Sequence, residues 1–141
     1  MAFVPPAPRL PGEAALEIFV YPGSMPNRPL EETNKFSDSG RLEFLGNQMT
    51  AAAYTDVMAQ RWPAASGEQL KGMVENTLNG LMERSAAAYQ WTNRVLGYPP
   101  DFNRQDLGEA RRLFATYAGA IYVEHGYMEL KVWIANLAAL S

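Results

Sequence analysis

The chain contains no cysteine, which excludes a disulfide framework and any thiolate metal site and fits a reducing compartment. No run of about 18 apolar residues occurs, so no transmembrane helix is expected. Positive charge is thin: 12 Lys and Arg stand among 15 Asp and Glu, for a net charge of −3 and a pI near 5.2. A protein whose main task is to hold a phosphate backbone shows a basic stripe, and no basic cluster here is longer than Arg111-Arg112. Strong autonomous RNA binding is therefore disfavoured. There is no glycine-rich phosphate loop, no Ser-His-Asp order, no metal-ligand spacing, no internal repeat and no strand-like alternation. The single histidine, His125, lies between Glu124 and Gly126 in a predicted turn and is read as exposed rather than catalytic.

The first twelve residues carry Pro5, Pro6, Pro8 and Pro11 with one cation, Arg9. They lack the apolar core of a secretory signal and the Arg-rich pattern of a mitochondrial presequence. With the acidic pI, this gives an expected location that is intracellular and cytoplasmic rather than mitochondrial. The segment 1–12 is read as a proline-rich extended arm lying on the surface or on a partner.

What is present is apolar side chain. Hydrophobic residues make up 48% of 141 positions, enough for one domain with one core. A short helix is expected over 13–20, stopped at Tyr21-Pro22-Gly23, with a polar loop from Met25 to Asp38. A central helix is expected from Ser39 to Arg61, ending at Trp62-Pro63. Ser66 and Gln69 have capping-box spacing, and Leu70, Met73, Thr77 and Leu81 follow on one helical face. A separate helical stretch is expected over 83–96, then a helix starting at 103–106 and running to Glu124. That helix is too densely apolar for a surface position, so it is placed centrally. A last helix is expected over 127–140, and Tyr117, Trp91 and Trp133 are assigned to the core. The fold class expected is all-α, with one domain over 13–141.

Within the central helix, Leu42, Leu45, Met49, Ala52 and Ala53 form an apolar stripe, while Glu43, Asn47, Thr50 and Tyr54 share a second face. Gly46 in mid-helix points to the close approach of another backbone. The window Gly40-Arg41-Leu42-Glu43-Phe44-Leu45-Gly46-Asn47 resembles the signature helix of the ribonuclease III family, roughly E-R-L-E-F-L-G-D. Further on, Gly119-Ala120-Ile121-Tyr122 and the turn Val123-Glu124-His125-Gly126 are similar to the family's later helix, approximately A-D-x-x-E-A-L-I-G-A-I-Y, and the acidic turn after it. Tyr21-Pro22-Gly23-Ser24 looks like a variant of the family's His-Pro-Ser-like turn. The resemblance covers roughly 13–140, and nothing in these residues reads as a double-stranded-RNA-binding domain.

The resemblance implies a single ribonuclease III-like helical domain. Family members activate water with Mg²⁺ held by carboxylates, and Mg²⁺ requires hard oxygen ligands in octahedral order. The five family positions fall here on Gly40, Glu43, Asn47, Arg112 and Ala115, so only Glu43 keeps its acid. No metal and no cofactor is expected, and no catalytic residue is assigned. Arg112 is expected to approach Glu43 or Asn47 and replace the missing cation. Glu109, one turn earlier, could face the same way, while Glu75, Glu83 and Glu124 are read as solvated. The resemblance further implies a twofold homodimer through Phe44, Leu42, Leu45 and Met49.

Three functional readings follow. The first is a non-catalytic dimeric scaffold or binding module, in an RNA–protein assembly as the resemblance implies. The second is a repurposed enzyme or small-molecule binder using a cleft of Glu43, Asn47, Tyr54 and Arg112. The third is a residual metal-dependent nuclease for double-stranded RNA. No membrane partner is expected.

Overall fold

The computed structural model describes residues 4–24 and 34–140, and the part of the 25–38 loop expectation on 25–33 lies outside them. Five α-helices account for most of these residues: α1 (Gly12–Ile18), α2 (Ser39–Arg61), α3 (Gly67–Ala88), α4 (Leu107–His125) and α5 (Tyr127–Ala138). Short 3₁₀ turns occupy Pro22–Ser24 and Trp91–Asn93. The only extended pairing among the described residues is a bridge between Val20 and Leu96. None of the described helices is long and apolar enough to cross a membrane.

Local chemistry accounts for the helix ends. The Asp38 carboxylate accepts from the Arg41 N–H at 2.9 Å and starts α2, satisfying a donor that has no intrahelical partner. Ser66 and Gln69 form the expected reciprocal capping box on α3. Asp106 caps α4 through the Glu109 N–H at 2.8 Å. Gly126, at φ +90°, separates α4 from α5, a backbone conformation that side-chain-bearing residues rarely adopt.

Helix α4 is the axis of the molecule. Eleven of its residues are buried, on all sides rather than along one stripe, as expected for a helix enclosed by others. Its most extensive partner is α2, and their backbones touch. A Cβ on Gly46 would lie 1.6 Å from the Ala115 carbonyl oxygen, and one on Gly119 would lie 2.0 Å from that of Leu42. The close approach expected at Gly46 is thus a direct crossing of two helices through paired glycines.

The expectation of separate helices before and after residue 82 is corrected. α3 runs unbroken to Ala88, and the chain then leaves helical geometry at Gln90, with φ 57°. The cause is Trp91, which is drawn into the core. Its ring stacks between Tyr89 at 4.8 Å and Tyr117 at 4.5 Å, while Phe114 stacks on Trp133 at 5.0 Å. Tyr117, Trp91 and Trp133 are all buried, as expected.

Candidate functional site

The residues singled out by the signature window belong to α2, and the later pair to α4, so the α2–α4 crossing decides where each one goes. Glu43 is half-buried, whereas Gly40 and Asn47 are exposed. Ala115 lies fully inside the core, beneath Gly46. Leu42 is only 1% exposed and belongs to the protomer's own core. Its assignment to a subunit interface is therefore corrected, because the glycine-mediated crossing buries that side of α2. Phe44, one position round from Glu43, is 66% exposed, and Leu45 and Met49 are half-buried.

Arg112 does not turn to Glu43 or Asn47. Its Nε donates to Glu109 Oε1 and its Nη2 to Glu109 Oε2, both at 2.7 Å. Both partners are largely buried. The Tyr98 hydroxyl donates to the same Glu109 carboxylate. The reason is spacing: residues three apart on a helix are neighbours, and a guanidinium fork matches a carboxylate in two parallel bonds. Glu109 is held in turn by the Asp106 cap at its backbone N–H. The third guanidinium nitrogen, Nη1, is buried without a hydrogen-bond partner.

Burial works against the Arg112 charge, but the hydrogen bonds and charge of Glu109 outweigh it. Tyr98 and Glu43 add smaller through-space contributions, so the Arg112 proton is held more firmly than in water. Glu43 thus acts on Arg112 through its field and not by contact. The Tyr98 phenol is pushed up by burial and by its bond to Glu109, which keeps it a donor.

Tyr54 does not join this group. Eleven residues of helix bring it back to the angular face of Glu43, but about 16 Å farther along the axis. Its hydroxyl is 2.5 Å from Thr77 Oγ1 of α3. The four-residue cleft of Glu43, Asn47, Tyr54 and Arg112 is therefore not assembled, since distance along α2 overrides shared rotation. A cavity of about 790 Å³ lies at the other end of α2, lined by Trp62, Gln69, Met73 and Thr77 among others.

The remaining acids are mostly engaged. Asp56 is bound by Lys131 at 3.0 Å and by the Tyr127 hydroxyl at 3.1 Å, and these bonds hold its carboxyl below the ordinary range. Glu83 pairs with Arg111, and Glu124 pairs with Lys35 at 2.5 Å, so the reading of both as solvated charges is corrected. Glu75 is exposed beside Lys71. His125 is exposed, as expected, but both ring nitrogens are occupied, Nε2 by the Arg9 carbonyl at 2.8 Å and Nδ1 by Glu129 at 3.0 Å. Among the described residues no group of three His, Asp or Glu side chains could hold a metal ion.

Sequence reasoning noted Glu109 only as a possible neighbour and missed Tyr98. The signal for Glu109 was its i,i+3 spacing to Arg112. Nothing local in the sequence brings Tyr98 to α4, because it sits on the irregular segment before that helix. No family model, curated protein or solved structure matches this chain.

Proposed function

We propose that this chain is a non-catalytic ribonuclease III-like protein that acts as a homodimeric scaffold or binding module, RNA–protein assemblies being the class its resemblance points to. The observation that carries the reading is the buried Arg112–Glu109 pair. It stands where the resemblance calls for a metal-binding acid, and it fixes a neutralised cation there. A Mg²⁺ ion at that place would meet a guanidinium, with Glu43 the one carboxylate left of the family's set. Support for a dimer comes from the outward side of α2, where Phe44 and Ala52 are exposed and lead toward exposed Trp62. An aromatic on a twofold contact is used twice, once from each copy.

Two measurements test this. Incubation with double-stranded RNA and Mg²⁺ should give no cleavage, and sedimentation at micromolar concentration should give a dimer that Phe44→Asp converts to monomer. Mg²⁺-dependent cleavage abolished by Glu43→Gln would overturn the non-catalytic half of the reading. A wild-type monomer, or an unchanged mass for Phe44→Asp, would overturn the dimer. Retention on double-stranded RNA at physiological salt separates an RNA assembly from a purely protein one.

A further inference from the structure

The proline-rich arm is laid on the helical body with a three-residue period. Val4, Pro5, Ala7, Pro8, Leu10 and Pro11 are half-buried, while Pro6, Arg9 and Gly12 are exposed. Val4, Ala7 and Leu10 pack against the core. A polyproline II helix has three residues per turn, so those three side chains form one edge of such a helix. Pro11 has φ −68° and ψ 161°, within the scatter of that conformation.

A second edge presents carbonyl oxygens. The Tyr89 hydroxyl donates to the Pro5 carbonyl, and the Tyr117 hydroxyl donates to that of Pro8 at 2.7 Å. Pro5 and Pro8 are one turn apart, about 9 Å along such a helix. Trp133 Nε1 donates to the Tyr89 hydroxyl at 3.0 Å and so orients it toward the arm. His125 Nε2 donates to the adjacent Arg9 carbonyl. All three contacts address main-chain oxygens and none reads the identity of the side chain that follows.

We propose that the aromatic face formed by Tyr89, Tyr117, Trp133 and His125 is a polyproline-binding groove. Residues 4–11 are its intramolecular ligand, and a proline-rich segment of another protein chain, with apolar residues at every third position, competes for it. The physical basis is that of proline-rich peptide recognition generally: the ligand is stiff before binding, its prolines lack amide donors, and it is held by aromatic surface plus donors to its carbonyls. Burial raises the ionisation range of both Tyr89 and Tyr117, so the phenols remain donors at neutral pH. Space for a larger anchor exists at the first position, where Val4 borders a groove of about 190 Å³ with Leu81, Leu137 and Leu140.

The test uses the full chain carrying Ala7→Asp, which places a charge on the arm's inward edge and leaves the groove unaltered. The probe is a fluorescent peptide with the sequence of residues 4–11. In the unsubstituted chain the tethered arm competes at an effective concentration of order millimolar, so the peptide should show no saturable binding at micromolar concentration. In Ala7→Asp, trypsin should cut after exposed Arg9 faster than in the unsubstituted chain, helicity by circular dichroism should persist, and the peptide should bind saturably. Adding Tyr117→Phe should weaken that binding by roughly two- to tenfold, the loss of one net hydrogen bond. A peptide of the same composition with its apolar residues moved off the three-residue spacing should not bind.

A folded Ala7→Asp chain that fails to bind the peptide overturns the proposal. So does loss of helicity, which would make the arm an integral part of the core. Unchanged protection of Arg9 overturns it too, because the inward edge would then not be what holds the arm.

Discussion

Glu109 and Arg112 show how one residue's value depends on the other. Removing a partner from a buried ion pair leaves an uncompensated charge, at a cost of about 3 kcal/mol or more. Glu109→Ala should therefore lower the urea midpoint sharply, whereas Glu109→Leu with Arg112→Met should recover most of the loss. Gly46 sets the second prediction. Gly46→Ala would drive a Cβ into the Ala115 carbonyl, a backbone atom that cannot rotate away. The expected loss, by chemical denaturation, is roughly 3 kcal/mol. Gly72→Ala on α3 is the contrast, since a Cβ there meets nothing within 4 Å. It should gain about 0.5–1 kcal/mol from helix propensity alone. Gly46 was legible as a contact site because an interior glycine weakens a helix for no local reason. Its partner Gly119 was not, since a glycine pair is defined only by the crossing that joins it.

At the scale of elements, caps and clasps hold the helices in place. Ser66→Ala breaks the capping box of α3 and should cost about 1 kcal/mol in thermal or urea unfolding. The start of α3 was readable because capping is local, within four residues. Its end was not, because Trp91 leaves the helix for a core shared with Phe114, Tyr117 and Trp133, which lie far along the chain. The tyrosines of these clasps also set a pH dependence. Burial, the largest of the causes, raises the ionisation of Tyr89, Tyr98 and Tyr117 above the ordinary value of 10.0. The folded state then keeps protons that the unfolded chain releases, so stability is fully present below pH 10 and falls as pH rises beyond it. Urea midpoints measured from pH 8 to 11 should be flat at first and then drop. Substituting Phe for Tyr98 should shrink the drop.

Across the whole molecule, α4 is enclosed by the other helices while one side of α2 faces out. Phe44, at 66% exposed, contributes little to the fold of a single chain. Phe44→Asp should thus change the stability of the isolated protomer by no more than about 0.5 kcal/mol, while abolishing the proposed dimer. Unfolding measured at several protein concentrations distinguishes the two effects, because a dimer's apparent stability rises with concentration and a monomer's does not. The all-helical class and the central place of α4 were both evident before the structure, from apolar periodicity and its density over residues 110–121.

The linear chain by itself determined the helical class, the caps and the proline arm. Each of these depends on residue identity or on spacings of a few positions. Only the tertiary structure decided that Tyr98 joins the pair of Glu109 and Arg112, that Tyr54 leaves the Glu43 group for Thr77, that Leu42 is core, and that the arm presents its carbonyls to Tyr89 and Tyr117. Those outcomes depend on where two helices cross and on what an irregular segment passes over. Such distances are set by packing among residues far apart in the chain, and no local pattern encodes them.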